Sequence, residues 1–315
     1  MKIAIIDMGT NTFHLLIVEV VDGDFHVLYR EKSPVKIGEK GINRGFITDD
    51  AIGRAIDAVK AFRAKIDYFS ISNIHATATS AIRNARNGQE LVGLIEKETG
   101  INTRIITGIE EAEYIYFGVT KALKIAPEKS LIMDIGGGSI EFIICDETNV
   151  YWKKSFEIGG QRMVEKFHKN DPISKKEIDQ LERFLFDSLG ELFEECAKHQ
   201  PQVLIGSSGT FDTLSEIYQQ KEGLNKEPGA TELPLSLEAF EMIFQDLLAK
   251  NREERLNIPG MIPMRVDMIV VAVVLVKFII DSLDIKKIRV SAYALKEGVL
   301  LKTIHSLFPE ISLKS

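Results

Sequence analysis

The chain opens on an apolar run, Ile3-Ala4-Ile5-Ile6, that ends in Asp7 and a Gly9-Thr10-Asn11-Thr12 turn. The apolar pattern that follows predicts strands over Lys2–Asp7, Phe13–Val20 and Phe25–Glu31, with Asp22-Gly23 as a hairpin turn between the second and third. From Thr48 to Phe69 the spacing becomes helical, and Ile52, Ala55, Ile56, Val59 and Phe62 share one face. A strand over Ile74–Thr79 runs into Ser80-Ala81-Ile82-Arg83. A helix over Gln89–Thr99, closed by Gly100, precedes a strand over Asn102–Ile106 and a helix over Ile109–Leu123.

After a polar break at Ala126-Pro127-Glu128-Lys129 the pattern starts again. Strands are predicted over Ser130–Asp134, Ile140–Cys145 and Val150–Phe156, and helices over Gly160–His168 and Lys175–His199. A short strand, Gln202–Ile205, leads through Gly206-Ser207-Ser208-Gly209-Thr210 into another helix. Lys221–Pro234 reads as a surface loop. Helices near Leu235–Lys250 and Val266–Ser282, a strand over Lys287–Val290 and a helix over Tyr293–His305 complete the chain.

Ile132-Met133-Asp134-Ile135-Gly136-Gly137-Gly138-Ser139-Ile140-Glu141 repeats the opening design: apolar strand, Asp, Gly and hydroxyl turn, apolar strand. Each copy alone also reads as a tight hairpin in which Gly and Asp serve the turn. Together they predict two similar domains facing one cleft. The domains are expected over 1–125 and 126–300, with the last helix (about 301–315) returning to the first. A strand-end carboxylate beside bare backbone N–H groups suits a phosphate chain with its Mg²⁺. Neither G-x-x-x-x-G-K-[ST] nor G-x-G-x-x-G occurs, so P-loop and dinucleotide-type phosphate binding are unsupported.

A length of 315 residues fits two cores better than one, and the hydrophobic and charged fractions are those of a globular protein. A net charge of −7 argues against a general nucleic-acid or anionic-membrane binder, and a polyanionic substrate would need a local positive patch. Met268–Ile280, interrupted by Lys277, is too short for a membrane span and reads as a buried helix. Met1-Lys2 leads straight into a strand, with no leader peptide, and the cytoplasm is the expected location. Cys145 and Cys196 fit a reducing compartment and show neither metal spacing nor a disulfide framework.

Six segments in order resemble the exopolyphosphatase/guanosine pentaphosphate phosphohydrolase (Ppx/GppA) family. They are Asp7 to His14, Ala78 to Arg83, Thr107 to Ala112, Asp134 to Glu141, Gly206 to Thr210, and Pro259-Gly260 through Arg265-Val266-Asp267. The resemblance implies an α/β protein of two actin-like (ribonuclease H-like) domains, mixed central sheets flanked by helices, and an active-site cleft between them. It implies a Mg²⁺-dependent phosphoanhydride hydrolase that removes terminal phosphate from inorganic polyphosphate, or the 5′ γ-phosphate of guanosine pentaphosphate.

Residue by residue, the resemblance makes Glu111 the catalytic base. Without it, Glu110 and Glu111 read as complements to a helix dipole. Asp7, Asp134 and Glu141 are the metal candidates, although strand-end Asp also caps turns. Asn11, Thr12, Gly137, Gly138, Ser139, Ser208, Gly209 and Thr210 would cradle phosphate oxygens, the last three at a helix start. Arg83 would grip phosphate or form a surface ion pair. His14 and Arg265 are weaker candidates for outer phosphates, and Lys36, Arg44, Arg86 and Arg162 for a basic track. Against the family pattern, Thr10 and Thr12 replace Ser, Ile140 replaces Thr, Glu113 replaces Arg, and Ala294 and Lys296 replace Gly and Arg. The charge changes bear on chain-length preference rather than chemistry.

Two other classes fit the same fold. An actin-fold kinase would transfer phosphate from ATP to a small acceptor, and a non-catalytic sensor would bind guanosine tetraphosphate. A homodimer is left open, with Lys221–Pro234 as a contact or only a loop.

Overall fold

The structure, a computed structural model, describes residues 1–308 except Asp22, Lys226 and Pro228. Asp22 of the expected Asp22-Gly23 turn and the 309–315 portion of the expected last helix therefore lie outside the described residues. The chain divides into two compact units, Met1–Gly118 joined by the segment from Leu295, and Val119–Ala294.

In the first unit β1 (Lys2–Met8), β2 (Phe13–Val21) and β3 (Asp24–Ser33) form an antiparallel meander. α1 (Asp49–Tyr68), β4 (Ile74–Ala78), α2 (Ser80–Arg83), α3 (Gly88–Thr99), β5 (Thr103–Ile105) and α4 (Gly108–Ala122) follow. β4 and β5 add in parallel beside β1, giving the order β3-β2-β1-β4-β5. β1 is central and covered on both faces, which is why it reads as an unbroken apolar run. Thr48 caps α1 by accepting from the Ala51 amide, and Ala55, Val59, Phe62 and Ile66 turn its apolar face to the core.

The second unit repeats the plan. β6 (Ser130–Ile135), β7 (Ile140–Cys145) and β8 (Val150–Phe156) form the meander. Then come α5 (Gly160–Phe167), α6 (Lys175–Ser188), α7 (Gly190–His199), β9 (Val203–Ser207) and α8 (Ser208–Glu222). β10 (Glu232–Leu233), α9 (Leu237–Ala249), α10 (Arg252–Leu256), α11 (Ile269–Leu283) and β11 (Lys287–Ser291) complete it. The sheet order is β10-β11-β9-β6-β7-β8, with β6, β9 and β11 parallel. α12 (Leu295–Leu307) belongs to the first unit, where it packs on β1 and β2.

Ile269 to Val276 of α11 is buried on every side, so the membrane-like run is a core helix. Each Val, Leu or Ile side chain there contributes roughly 1.5–3 kcal/mol through burial. No described helix is long and apolar enough to cross a membrane.

Two sequence expectations are corrected, and one further helix is present that the apolar pattern did not predict. The helix expected over Lys175–His199 breaks at Leu189-Gly190 into α6 and α7. Glycine is a poor helix former, and fully buried Leu189 anchors the corner. The expected loop Lys221–Pro234 contains the end of α8 and the two-residue edge strand β10. α10, a single turn and a half set by an Asn251–Glu254 capping box, carried no apolar period to announce it.

Candidate active site

The parallel strands of each unit end at one edge of its sheet, where turns and helix starts collect. In the second unit a polar row crosses that edge. Ser207 on β9, Asp134 on β6, Glu141 on β7 and Ser155 on β8 are successive register partners. Ser207 Oγ donates to Asp134 Oδ2 at 2.7 Å, and Ser155 Oγ donates to Glu141 Oε1 at 2.6 Å. Asp134 and Glu141 stand directly opposite one another, so their Cβ atoms lie about 5 Å apart. They are 5 % and 1 % exposed in strands that are otherwise apolar. Burying two neighbouring carboxylates is costly unless something cationic offsets them.

Two turns close over this row. Gly136-Gly137-Gly138-Ser139 joins β6 to β7, and the start of α5 packs onto it. The Gly160 and Gln161 amides donate to the Gly136 and Gly137 carbonyls. Gly159 approaches so closely that a Cβ there would lie 2.5 Å from Gly137 and Gly138 backbone atoms. Arg162, a basic-track candidate, is committed here: its Nε donates to the Gly138 carbonyl and its Nη2 pairs with Glu157.

The second turn leads from β9 into α8. Ser208 holds φ +72°, a left-handed conformation uncommon for a side-chain-bearing residue. Gly206 is required, because a Cβ would strike the Phe211 ring at 2.1 Å. Gly209 is required because the Arg265 guanidinium lies against it, 2.1 Å from where a Cβ would be. Burial pushes the Arg265 pKa down, while Asp212 and Asp134 act to hold it up. Arg265, a secondary candidate on sequence grounds, is thus brought beside Asp134 and the Ser208–Thr210 turn.

In the first unit the corresponding row is Thr77 on β4, Asp7 on β1, His14 on β2 and Lys32 on β3. It holds one carboxylate and one lysine, where the other row holds two carboxylates. The Asp7–Phe13 connection is braced by Lys36 and Gly38, whose amides donate to the Asn11 and Thr10 carbonyls. Thr10 and Thr12 are buried. Arg44 and Arg86 bond backbone carbonyls of Lys40 and Arg44.

Glu111 sits in the first turn of α4 and is 6 % exposed. Its Oε2 accepts from Arg83 Nη1 at 2.8 Å, and Arg83 also donates to the Ile106 carbonyl at 3.1 Å. Arg83 is therefore no surface pair: through Nη1 it ties the end of α2 to Glu111. Glu110 has other work. Its Oε2 accepts from the Thr107 amide and hydroxyl, and its Oε1 from Arg104. The bond from the Thr107 amide is the chief reason its pKa lies below the usual carboxylate value. Glu113, where the family pattern has Arg, pairs with Lys302 at 2.9 Å, and Lys296 pairs with buried Glu297 at 3.0 Å.

No group of three or more His, Cys, Asp or Glu side chains among the described residues is arranged to hold a metal. The Asp134–Glu141 pair nonetheless fits Mg²⁺, which takes one or two carboxylates and completes its shell with water and substrate oxygens. Asp7, whose register partners are His14 and Thr77, is the third carboxylate candidate. Cys145 and Cys196 are buried free thiols, pushed up to about 12 by burial, and so inert.

The chain repeats one hairpin-and-helix plan in both units, with an acidic row under glycine turns in the second and a buried, oriented glutamate in the first, groups that suit phosphoanhydride hydrolysis. The comparisons agree. The crystal structure of an exopolyphosphatase from Cytophaga hutchinsonii superposes with a TM-score of 0.94 at 42% identity, covering 100% of both chains. The crystal structure of the Aquifex aeolicus Ppx/GppA family member gives 0.80 at 26% identity, over 98% of this chain and 99% of that one. A Haemophilus influenzae protein provisionally named an exopolyphosphatase is 32% identical over 301 residues, 95% of this chain and 90% of its own. The profile of the Ppx/GppA phosphatase family matches residues 16–307. The chain belongs to the Ppx/GppA phosphatase family.

Proposed function

We propose that this protein is an exopolyphosphatase, removing terminal orthophosphate from inorganic polyphosphate in a Mg²⁺-dependent reaction. The observation that carries the reading is Glu111: buried, at a helix start, and oriented by a charge-assisted bond from Arg83. Phosphoryl transfer needs little from a protein beyond a positioned water, charge neutralisation and alignment. Glu111 takes the proton of the attacking water as it adds to the terminal phosphorus. The bond to the bridging oxygen breaks, and the shortened chain leaves on that oxygen. Arg83 holds the base in place. The amides and hydroxyls of Ser208, Gly209 and Thr210, with the Gly137–Ser139 turn, receive phosphate oxygens, as do Asn11 and Thr12. Asp134 and Glu141, with Asp7 as a further candidate, would hold Mg²⁺, which supplies charge neutralisation when bound.

The test is phosphate release from long-chain polyphosphate, tripolyphosphate, guanosine pentaphosphate and ATP, each with Mg²⁺ and with EDTA. Release from long polyphosphate that EDTA abolishes is expected. Faster release from guanosine pentaphosphate would reassign the substrate. Turnover only with ATP and an acceptor would make the protein a kinase, and guanosine tetraphosphate binding with no turnover at all would make it a sensor.

A further inference from the structure

The segment that delivers Arg265 is a short 3₁₀ turn, Pro263–Arg265, in which the Arg265 amide donates to Ile262 and the Met268 amide to Arg265. Two residues on, Asp267 Oδ1 accepts from Arg252 Nε at 2.7 Å. Arg252 is the first residue of α10, and its backbone N donates to Asp171 Oδ2 at 2.6 Å. One turn later Arg255, 1 % exposed, donates from Nη1 to Asp171 Oδ1 at 2.8 Å. Both Asp171 oxygens are thereby used, and the start of α10 is pinned to the loop after α5. His168 adds to the same cluster, with Nε2 3.7 Å from Asp171 Oδ1.

An exposed pair such as Arg252–Asp267, with side chains 54 % and 44 % exposed, contributes under ~1 kcal/mol to global stability. Its value lies in where it sits. The fixed point is buried Arg255, and the chain Arg255, Asp171, Arg252, Asp267 carries that fixity outward to the turn bearing Arg265. Nothing in the reaction as described above uses this chain.

We infer that Asp267 is a positioning residue: by gripping Arg252 it sets the turn that holds the Arg265 guanidinium against Gly209 beside Asp134. The inference rests on the reading of that site as the phosphate-binding site. Loss of the grip lets the Arg265 turn drift and weakens binding of the phosphate chain without disturbing Glu111.

The test uses the full chain and four variants: Asp267→Asn, Arg252→Gln, Arg265→Gln, and Asp267→Asn combined with Arg265→Gln. Asp267→Asn is expected to raise KM for polyphosphate about three- to ten-fold with kcat within about two-fold, the signature of lost uniform binding. Arg252→Gln should do the same. On the Arg265→Gln background, Asp267→Asn should add nothing, because it acts through that side chain. An unchanged KM in Asp267→Asn, or a full effect persisting without Arg265, overturns the proposal. Calorimetric binding of tripolyphosphate gives the same comparison without turnover. Wild-type protein that neither binds nor hydrolyses polyphosphate would remove the underlying reading and this proposal with it. Normal wild-type binding with an unaffected Asp267→Asn would remove only the proposal.

Discussion

Two adjacent glutamates show how a side chain's phase on a helix decides its chemistry. Glu110 is partly exposed and committed to the Thr107 cap and Arg104, whereas Glu111 turns inward to Arg83. The expected outcome is asymmetric. Glu111→Gln should lower kcat for phosphate release by ~100-fold or more, the scale of general-base removal. Glu110→Gln should leave kcat within about three-fold and cost ~0.5–1 kcal/mol of stability through the weakened cap. Steady-state rates and thermal melts of both variants check this, and a reversed order would move the base to Glu110. Helical spacing placed both residues in a first turn without ranking them, because Arg83 lies 28 residues away, and only the family resemblance singled out Glu111. The same distance problem hid the pairing of Asp134 with Ser207, 73 residues apart, and the importance of Arg265.

At the scale of elements, what was legible was what local pattern governs. β1, β2, β6 and β7 were readable because buried central strands are continuous apolar runs bounded by Gly turns. α1 and α3 were readable from period and cap. β10 was not, because two residues carry no period, and their pairing with β11 is a tertiary event. The contact of α12 with α4 was equally hidden. Gly298 lies so close to α4 that a Cβ would sit 1.7 Å from the Tyr114 carbonyl oxygen. Gly298→Ala must push α12 off α4, the helix that carries Glu111. Overpacking of this kind costs ~1–3 kcal/mol. The expected result is a lower Tm together with reduced kcat. A Gly298→Ala protein with wild-type Tm would show that the two helices part without cost.

For the whole molecule, acid should be the weak side. His75 and His168 have pKa values lowered chiefly by burial, so the folded chain resists protons that the unfolded chain accepts. Stability from these two is present above the unfolded imidazole value of ~6.5 and is lost as pH falls below it. The carboxylates act lower down. Desolvation raises Glu177, but bonds from the Ser174 amide and hydroxyl, with the Lys169 and Asn170 amides, outweigh it and bring it from 4.5 to about 2. Its contribution is present above 4.5 and drains away between there and about 2. Asp171 and Glu232 are lowered as well. Tm should therefore be highest near neutral pH, decline gently below ~6.5 and fall steeply below ~4.5. Glu177→Gln should lower Tm at pH 7, by the equivalent of on the order of 2–3 kcal/mol, and flatten the steep limb. The two curves should then converge toward pH 2, where the wild-type carboxylate is itself protonated. Calorimetric scans of both proteins from pH 2 to 8 make the comparison. A Glu177→Gln curve running parallel to wild type throughout would mean that the four donors around that carboxylate favour its neutral form as much as its charge.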